Sequence, residues 1–438
     1  MVRLWRAAWV LPVASPPIPD GAVLTHGGTI REVGPAEALV ARAPGAPVRD
    51  LGGAILAPGL VDAHCHLEWS LLDGLLPPAP FAEWLGDLLA MRAHITPEDH
   101  VTAARFGALR ALEAGTTTLW DSGPTGAGAA ALAGAGLRGR VHLEAFGRQT
   151  GAEAQAAADA FAGRLVALDG DAGPRGAVGV SPHAPYTVGP ELWRALLERT
   201  GGDGRSWATH LAESDAEERV IADGDGPLGD LFAAAGLTPG RWPGPDGAGP
   251  VARAAAAGVL RPGLVAAHCV RLGPDDPVLL AAAGVAVAHC PRSNVHLECG
   301  RAPVAEMRAA GVSVALGTDS PASGGDYDLR AEARACRALH AGAWDPDDAT
   351  LLRLITADAA RAVGMDEVGA LAPGRRADLV AVTPAPGDGP PESRFLDARA
   401  VVDTVVVDGE ILLEKGVPAA PGAARTRARA AEIRERLC

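Results

Sequence analysis

The chain reads as an α/β protein, a (β/α)8 or TIM barrel over residues 56–369 with a small β-sandwich domain built from both termini, residues 1–55 and 370–438. Three observations predict this. Strand-like and helix-like stretches alternate through the centre of the chain, as parallel βα units do. Short β-type runs separated by turn residues occupy both ends, where they can pair with one another. Several central strand-like runs finish on His or Asp, at the strand ends where such barrels place their active sites. A chain of 438 residues has room for a barrel of about 250 residues and a second unit beside it.

Taken in order, residues 22–24, 29–33 and 54–56 are the N-terminal β runs, the second preceded by Gly27-Gly28. The first barrel strand is Gly59-Leu60-Val61-Asp62-Ala63-His64-Cys65-His66. Strand side chains alternate with period two, so His64 and His66 share a face and Cys65 points away. An amphipathic run at 81–91 follows, then an Ala-rich helix over 97–113 with Thr96 as N-cap and Gly115 as its stop. The remaining strands are expected at 116–120, 139–146, 177–181, 206–210, 264–268, 285–289 and 312–316. Between the fifth and sixth units, the Gly/Pro-rich stretch 224–249 is a long loop over the barrel mouth, either a lid or a surface excursion. At the far end, runs at 377–382 and 401–407 lead through Asp408-Gly409 into a last strand at 410–413.

Composition excludes several classes. No segment runs 18 residues without Gly, Pro or a charge, which argues against a membrane span. The N-terminus starts basic, but its apolar stretch breaks at Pro12, Pro16 and Pro17, so no signal peptide is expected. A formal charge of −14, spread along the chain, repels nucleic acid. Six cysteines without a Cys-x-x-Cys pair fit thiols kept reduced in a cytoplasm. Lys415 is the single lysine.

His64 and His66, with His210 ending the fifth strand, His268 ending the sixth and Asp319 after the eighth, supply the nitrogen and oxygen ligands that zinc or ferrous iron accepts. A divalent ion there would lower the pKa of a bound water toward neutrality. In His210-Leu211-Ala212-Glu213 a carboxylate follows the histidine by three residues; without further context it would be a surface residue leading into the acidic stretch Ser214 to Glu218.

Together with Pro58-Gly59, Gly317-Thr318-Asp319-Ser320, Leu371-Ala372-Pro373-Gly374 and Ala377-Asp378-Leu379-Val380, these residues resemble the amidohydrolase superfamily over essentially the whole chain. In that superfamily a two-metal site uses a carboxylated lysine as a bridge. Lys415 lies in the C-terminal β region, so the resemblance implies one metal ion per chain, zinc with Fe2+ as the alternative. Similarity to the mononuclear deaminase branch implies His64, His66, His210 and Asp319 as ligands. It further implies that His268 hydrogen-bonds the attacking water, that Asp319 takes its proton, and that Glu213 protonates the ring nitrogen and helps ammonia leave.

For substrate contacts the same resemblance points to His183, in Ser181-Pro182-His183-Ala184-Pro185, and to Ser323. Glu68, next on the inward face, is expected either at ribose hydroxyls or in a structural hydrogen bond. Arg148 and Arg292 are the candidates for reading a carboxylate through a bidentate guanidinium. Trp69, Phe81 and Trp84 are read as core packing before an aromatic pocket, and His289 as structural. The segments His66-Leu67-Glu68-x-Ser70, Phe81-x-Glu83-Trp84-Leu85, Leu143-Glu144-Ala145-Phe146-Gly147 and Cys290-Pro291-Arg292-Ser293-Asn294 are similar to aminodeoxyfutalosine deaminases. That likeness implies a small-molecule nucleoside substrate, an adenosine extended by a carboxyphenyl ketone on the futalosine route to menaquinone, and a homodimer is compatible with it. Deamination of adenosine, methylthioadenosine, S-adenosylhomocysteine, guanine or a triazine stays open, as does a scaffold without catalysis, which retention of every ligand disfavours.

Overall fold

The computed structural model describes residues 1–237 and 241–438. Eight parallel strands, Leu60–Cys65, Thr116–Gly123, Arg138–Ala145, Gly176–Pro182, Trp207–Leu211, Leu264–His268, Ala286–His289 and Val314–Leu316, hydrogen-bond in chain order. The two edges of this sheet meet at Asp319. Its N–H donates to the His64 carbonyl at 3.0 Å and its carbonyl accepts from the His66 N–H at 3.2 Å. Asp62 adds a second tie across the same seam, accepting from the Thr318 N–H at 3.1 Å and the Thr318 hydroxyl at 2.6 Å.

Val61, Ala63, Trp120, Ala208, Val265, Ala286, Ala288 and Ala315 belong to one buried cluster with Ala359, Ala360, Val363 and Met365. Side chains contributed by strands on opposite sides of a barrel can touch only across its lumen. The small residues therefore leave room for the segment carrying the helix Ala357–Ala362 to plug one end. The helix Pro97–Glu113 begins where its sequence predicts. Thr96 caps it, its hydroxyl accepting from the Asp99 N–H at 3.2 Å while the Asp99 carboxylate accepts from the Thr96 N–H at 2.9 Å.

Strands from both termini form a single mixed sheet, in the order Val417–Pro418, Glu410–Glu414, Val401–Val407, Leu379–Thr383, Ile55–Pro58, Val2–Val10, Ile18–His26 and Thr29–Pro35, with Val48–Asp50 also on Val2–Val10. Gly59 alone separates Ile55–Pro58 from the first barrel strand. A Cβ there would meet the Thr117 side chain at 2.2 Å, so the close approach of sheet and barrel requires glycine. The last helix, Ala423–Leu437, leaves the sheet and packs Ala430 and Ile433 on Leu71 and Ala103 of the barrel unit. Among the described residues no helix is long and apolar enough to cross a membrane.

A buried ion pair joins the two units. Arg138, at the start of the third barrel strand, donates to Asp378 at 2.7 and 3.2 Å and to Asp408 at 2.7 Å. Arg175 reinforces Asp408 at 3.0 Å. Truncating one partner of such a pair leaves the other charge stranded out of water. Arg138→Leu should therefore cost about 3–5 kcal/mol of stability, measured by denaturant unfolding, and adding Asp378→Asn should recover part of it. A loss of under about 1 kcal/mol, the scale of an exposed pair, would mean the junction does not depend on it.

Candidate active site and metal centre

Five side chains converge where strands one, five, six and eight end. His66 Nδ1 donates to the Ser122 carbonyl and His210 Nδ1 to the His183 carbonyl, both at 2.8 Å. A carbonyl only accepts, so in both neutral rings the proton sits on Nδ1 and Nε2 is bare. Yet the two Nε2 atoms face each other at 3.0 Å. Two lone pairs at that distance have no proton between them and call for a cation. His64 Nε2 is buried with no hydrogen-bond partner and lies 3.7 Å from Asp319 Oδ1, which is 3.4 Å from His66 Nε2. The other Asp319 oxygen is already occupied, by Ser293 Oγ at 2.5 Å and Ser323 Oγ at 2.9 Å. Burial pushes the imidazoles toward the neutral form that ligates a metal, His210 and His268 both to about 4. His64, His66, His210 and Asp319 thus fit one divalent ion, with His268 beside them. A divalent ion held here would make a bound water nucleophilic at neutral pH.

Glu213 lies on the rim of this cluster, with Oε1 3.5 Å from His268 Nε2. Burial first, then the Asp319 and Glu217 carboxylates, raise its pKa well above the usual carboxylate range, which favours the protonated form that can act as a general acid. Glu217 fixes the loop that carries it, accepting from the Glu213 N–H at 2.7 Å and the Ala212 N–H at 3.2 Å. The acidic helix Asp215–Asp223 therefore has an inward residue in Glu217, which the sequence reading of this stretch did not single out.

The cavity above the cluster has a volume of about 230 Å³ and reaches outward between Trp69, Phe81, Trp84, Leu88, Leu231 and Phe232. Leu231 and Phe232 come from the helix Gly226–Ala234, so the stretch 224–249, expected as a loop, contains a helix that walls part of the cavity, while its residues 238–240 lie outside the described residues. Trp69, Phe81 and Trp84, read from sequence as core, are both buried and cavity-lining. His183 lines the cavity too, with Nδ1 2.8 Å from the Thr187 hydroxyl.

Four other expected contacts lie elsewhere. Glu68 does not reach the cavity: its carboxylate turns under the loop after strand two and accepts from the N–H groups of Gly126 at 2.9 Å, Ala127 at 3.1 Å and Thr125 at 3.2 Å, which is the structural hydrogen bonding of the two alternatives. Arg292 is consumed by Glu332 at 2.5 Å and Asp326 at 2.7 Å, leaving no fork for a substrate carboxylate. Ser323 holds Asp319 and stands outside the cavity, so it positions a ligand rather than touching a ring. Arg148 donates to the Tyr186 carbonyl and lies over the Phe232 ring at 5.2 Å, bracing the wall.

Two cavity residues were not singled out from sequence. Glu144, ending strand three, is buried with Oε1 unpartnered, 3.9 Å from His66 Nδ1, and burial raises its pKa to about 8. The signal was a lone carboxylate in an apolar strand run. Arg92 ends the helix Phe81–Arg92 and lines the cavity, with no ion pair among the described residues; no pattern in the sequence separates it from the other arginines.

Elemental analysis should find one divalent ion per chain. His66→Ala should abolish binding, while Ser323→Ala should weaken it about 10- to 100-fold, as loss of an outer hydrogen bond to a ligand does. Two tightly bound ions would contradict this arrangement.

Comparison with known proteins agrees with the geometry. Residues 55–412 match the amidohydrolase family, and residues 21–46 match a bacterial imidazolonepropionase-like composite domain. A 5-methylthioadenosine/S-adenosylhomocysteine deaminase of Moorella thermoacetica is 32% identical over 420 residues, 93% of either chain. An aminodeoxyfutalosine deaminase of Deinococcus radiodurans is 35% identical over 364 residues, 78% of this chain and 81% of that one. The structure of an adenosine deaminase from Xanthomonas campestris with bound zinc superposes with a TM-score of 0.82 at 28% identity, over 99% of this chain and 98% of that one. The chain belongs to the amidohydrolase family.

Proposed function

We propose that the protein is a zinc-dependent hydrolytic deaminase of an adenine nucleoside, with 6-amino-6-deoxyfutalosine as its substrate. The observation that carries the deaminase reading is Glu213, a buried carboxylic acid 3.5 Å from His268 at the edge of the imidazole cluster. Replacing an aromatic amino group by hydroxyl requires a proton on the ring nitrogen as water adds to the neighbouring carbon. Glu213 donates that proton to N1 of the adenine. His268 orients the water through its Nε2; one proton of the water goes to the amino nitrogen, so that ammonia leaves, and the proton of the new C6 hydroxyl returns to Glu213 as the C6 carbonyl forms. The deaminase names of the relatives support the same chemistry.

The finer reading is supported by the outer cavity. With C6 at the cluster and N1 at Glu213, the sugar and its 5′ substituent point toward the aromatic and aliphatic wall and Arg92. An aromatic carboxylate matches that lining. S-adenosylhomocysteine, favoured by the name of the Moorella relative, brings an ammonium as well. The cavity's carboxylates, Glu144, Glu213 and Asp319, lie at the imidazole end, away from where that ammonium would sit.

Glu213→Gln should retain the metal and lose turnover by 100-fold or more, on the order of general acid–base catalysis; a near-normal rate would remove Glu213 from the chemistry. In a side-by-side assay following loss of the adenine absorbance, aminodeoxyfutalosine should exceed adenosine in kcat/KM by roughly ten- to hundredfold, the worth of one charge-assisted hydrogen bond of about 1.5–3 kcal/mol. Arg92→Leu should remove most of that advantage and leave adenosine unaffected. Equal efficiency on the two substrates would leave only the general nucleoside deaminase.

A further inference from the structure

His268 is not an isolated imidazole. Its Nδ1 lies 3.0 Å from Asn294 Oδ1, the Asn294 amide nitrogen 3.3 Å from His289 Nδ1, and His289 Nε2 3.1 Å from His340 Nε2. Asn294, His289 and His340 are all buried, at 0, 0 and 2% exposure, and none of the three lines the cavity. His289 ends the seventh barrel strand, Asn294 sits in the short helix Pro291–His296 that follows it, and His340 closes the helix Leu329–His340 behind them.

The chain has a direction. A primary amide accepts only at its oxygen and donates only at its nitrogen. With Oδ1 toward His268, that ring must carry its proton on Nδ1 and leave Nε2 bare, facing Glu213 and the metal cluster. With the amide nitrogen toward His289, that ring must be bare at Nδ1, so it donates from Nε2 to His340, which in turn is protonated on Nδ1. Reversing any one link sets two donors or two acceptors against each other among buried groups, a cost of about 1–3 kcal/mol per unsatisfied group. Cys336 lies beside the two distal histidines. The three groups could be imagined as metal ligands, but the hydrogen bond between the rings already occupies the nitrogens that would bind.

We propose that Asn294, His289 and His340 form a buried positioning relay that fixes the tautomer of His268, keeping its Nε2 as the acceptor that faces the attacking water. These residues never touch substrate. Their effect is transmitted through the amide, whose Oδ1 accepts from His268 Nδ1.

The test uses the metal-loaded enzyme. Asn294→Leu removes the acceptor and should lower kcat 10- to 100-fold with KM within twofold and one metal ion still bound per chain. Asn294→Asp keeps an acceptor toward His268 and should restore kcat to within several-fold of the wild type. His289→Leu frees the amide to rotate and should fall between the two, whereas His289→Gln, which keeps a donor and an acceptor, should stay close to wild type. Imidazole 15N spectra give a readout independent of turnover: the wild type should show the His268 proton on Nδ1, assigned by its loss in His268→Asn, and His289→Leu should shift it toward Nε2. The proposal is overturned if wild-type His268 carries its proton on Nε2, if Asn294→Asp is as slow as Asn294→Leu, or if lost activity follows lost metal. Should Asn294→Leu fail to fold, equal rates in the His289→Leu and His289→Gln pair overturn it. Should the enzyme deaminate no adenine nucleoside at all, the proposed function fails, while the 15N spectra still decide the relay.

Discussion

The backbone of Asp319 takes part in two structures at once. Its N–H and carbonyl join the eighth strand to the first by bonding His64 and His66, and its side chain faces the imidazoles that those same residues carry. Closing the barrel and assembling the cluster are therefore one event. A register slip at this seam would move the carboxylate off the metal position as it opened the sheet. The seam is reinforced from below by Asp62, fully buried and bonded to Thr318, so the strand that brings the ligands also carries the clamp that sets their height. Asp319 takes a left-handed backbone conformation, φ 56°, as do Ala212 at 54°, His268 at 72° and Cys269 at 47°. Each costs of order 1–3 kcal/mol. Hydrogen bonds hold them there: Cys269 N–H to the Leu211 carbonyl at 3.1 Å and Val270 N–H to the Ala212 carbonyl at 2.8 Å tie strand six to strand five just beyond their ends.

Electrostatics around the cluster follow chiefly from burial, with Arg92 opposing it at Glu144. Asp62 and Glu217 are pushed up to about 7 and Glu144 to about 8, in each case chiefly because burial disfavours the charged form. Among the described residues no arginine is hydrogen-bonded to any of the three. Glu217 is satisfied by backbone N–H groups, and against the effect of burial the neighbouring imidazoles hold the Asp319 carboxyl well below the usual carboxylate range, so Asp319 is the carboxylate that faces the histidines.

Much of this was legible in the chain. Period-two placement of His64 and His66, histidines at the ends of later strand runs, the capped helix at Thr96 and the terminal β runs all follow from local rules, and local rules survive folding when every level agrees. What sequence did not supply was partner choice. Glu68 continues an inward-facing series, but the strand stops at Cys65 and the chain turns into the 3-10 helix Leu67–Leu72, which swings the carboxylate toward the loop of the next strand. His289 and His340 lie 51 residues apart, and nothing in either neighbourhood announces the other. The first strand, Val2–Val10, was hidden because its Arg and Trp residues do not alternate cleanly.

Arginine carries the same lesson for substrate recognition. In a chain with a single lysine, arginine does every task a cation can do, so its presence on a mouth loop distinguishes little. What decides its function is whether the guanidinium fork is already filled. Arg138 and Arg292 each spend theirs on two carboxylates, one of the two buried in either case, and Arg148 lies along the wall over Phe232. Arg92 differs because it ends a helix whose other turns supply Phe81 and Trp84 to the cavity wall, leaving the charge beside apolar surface instead of beside an acid. Arg92 is itself exposed, so a ligand anion reaching that point meets its guanidinium at the rim of the cavity, where the planar fork can take a carboxylate in two parallel hydrogen bonds. The strand ends thus fix where the imidazoles and Asp319 meet, and the proposed substrate preference rests on which arginine of the outer wall keeps its fork unfilled.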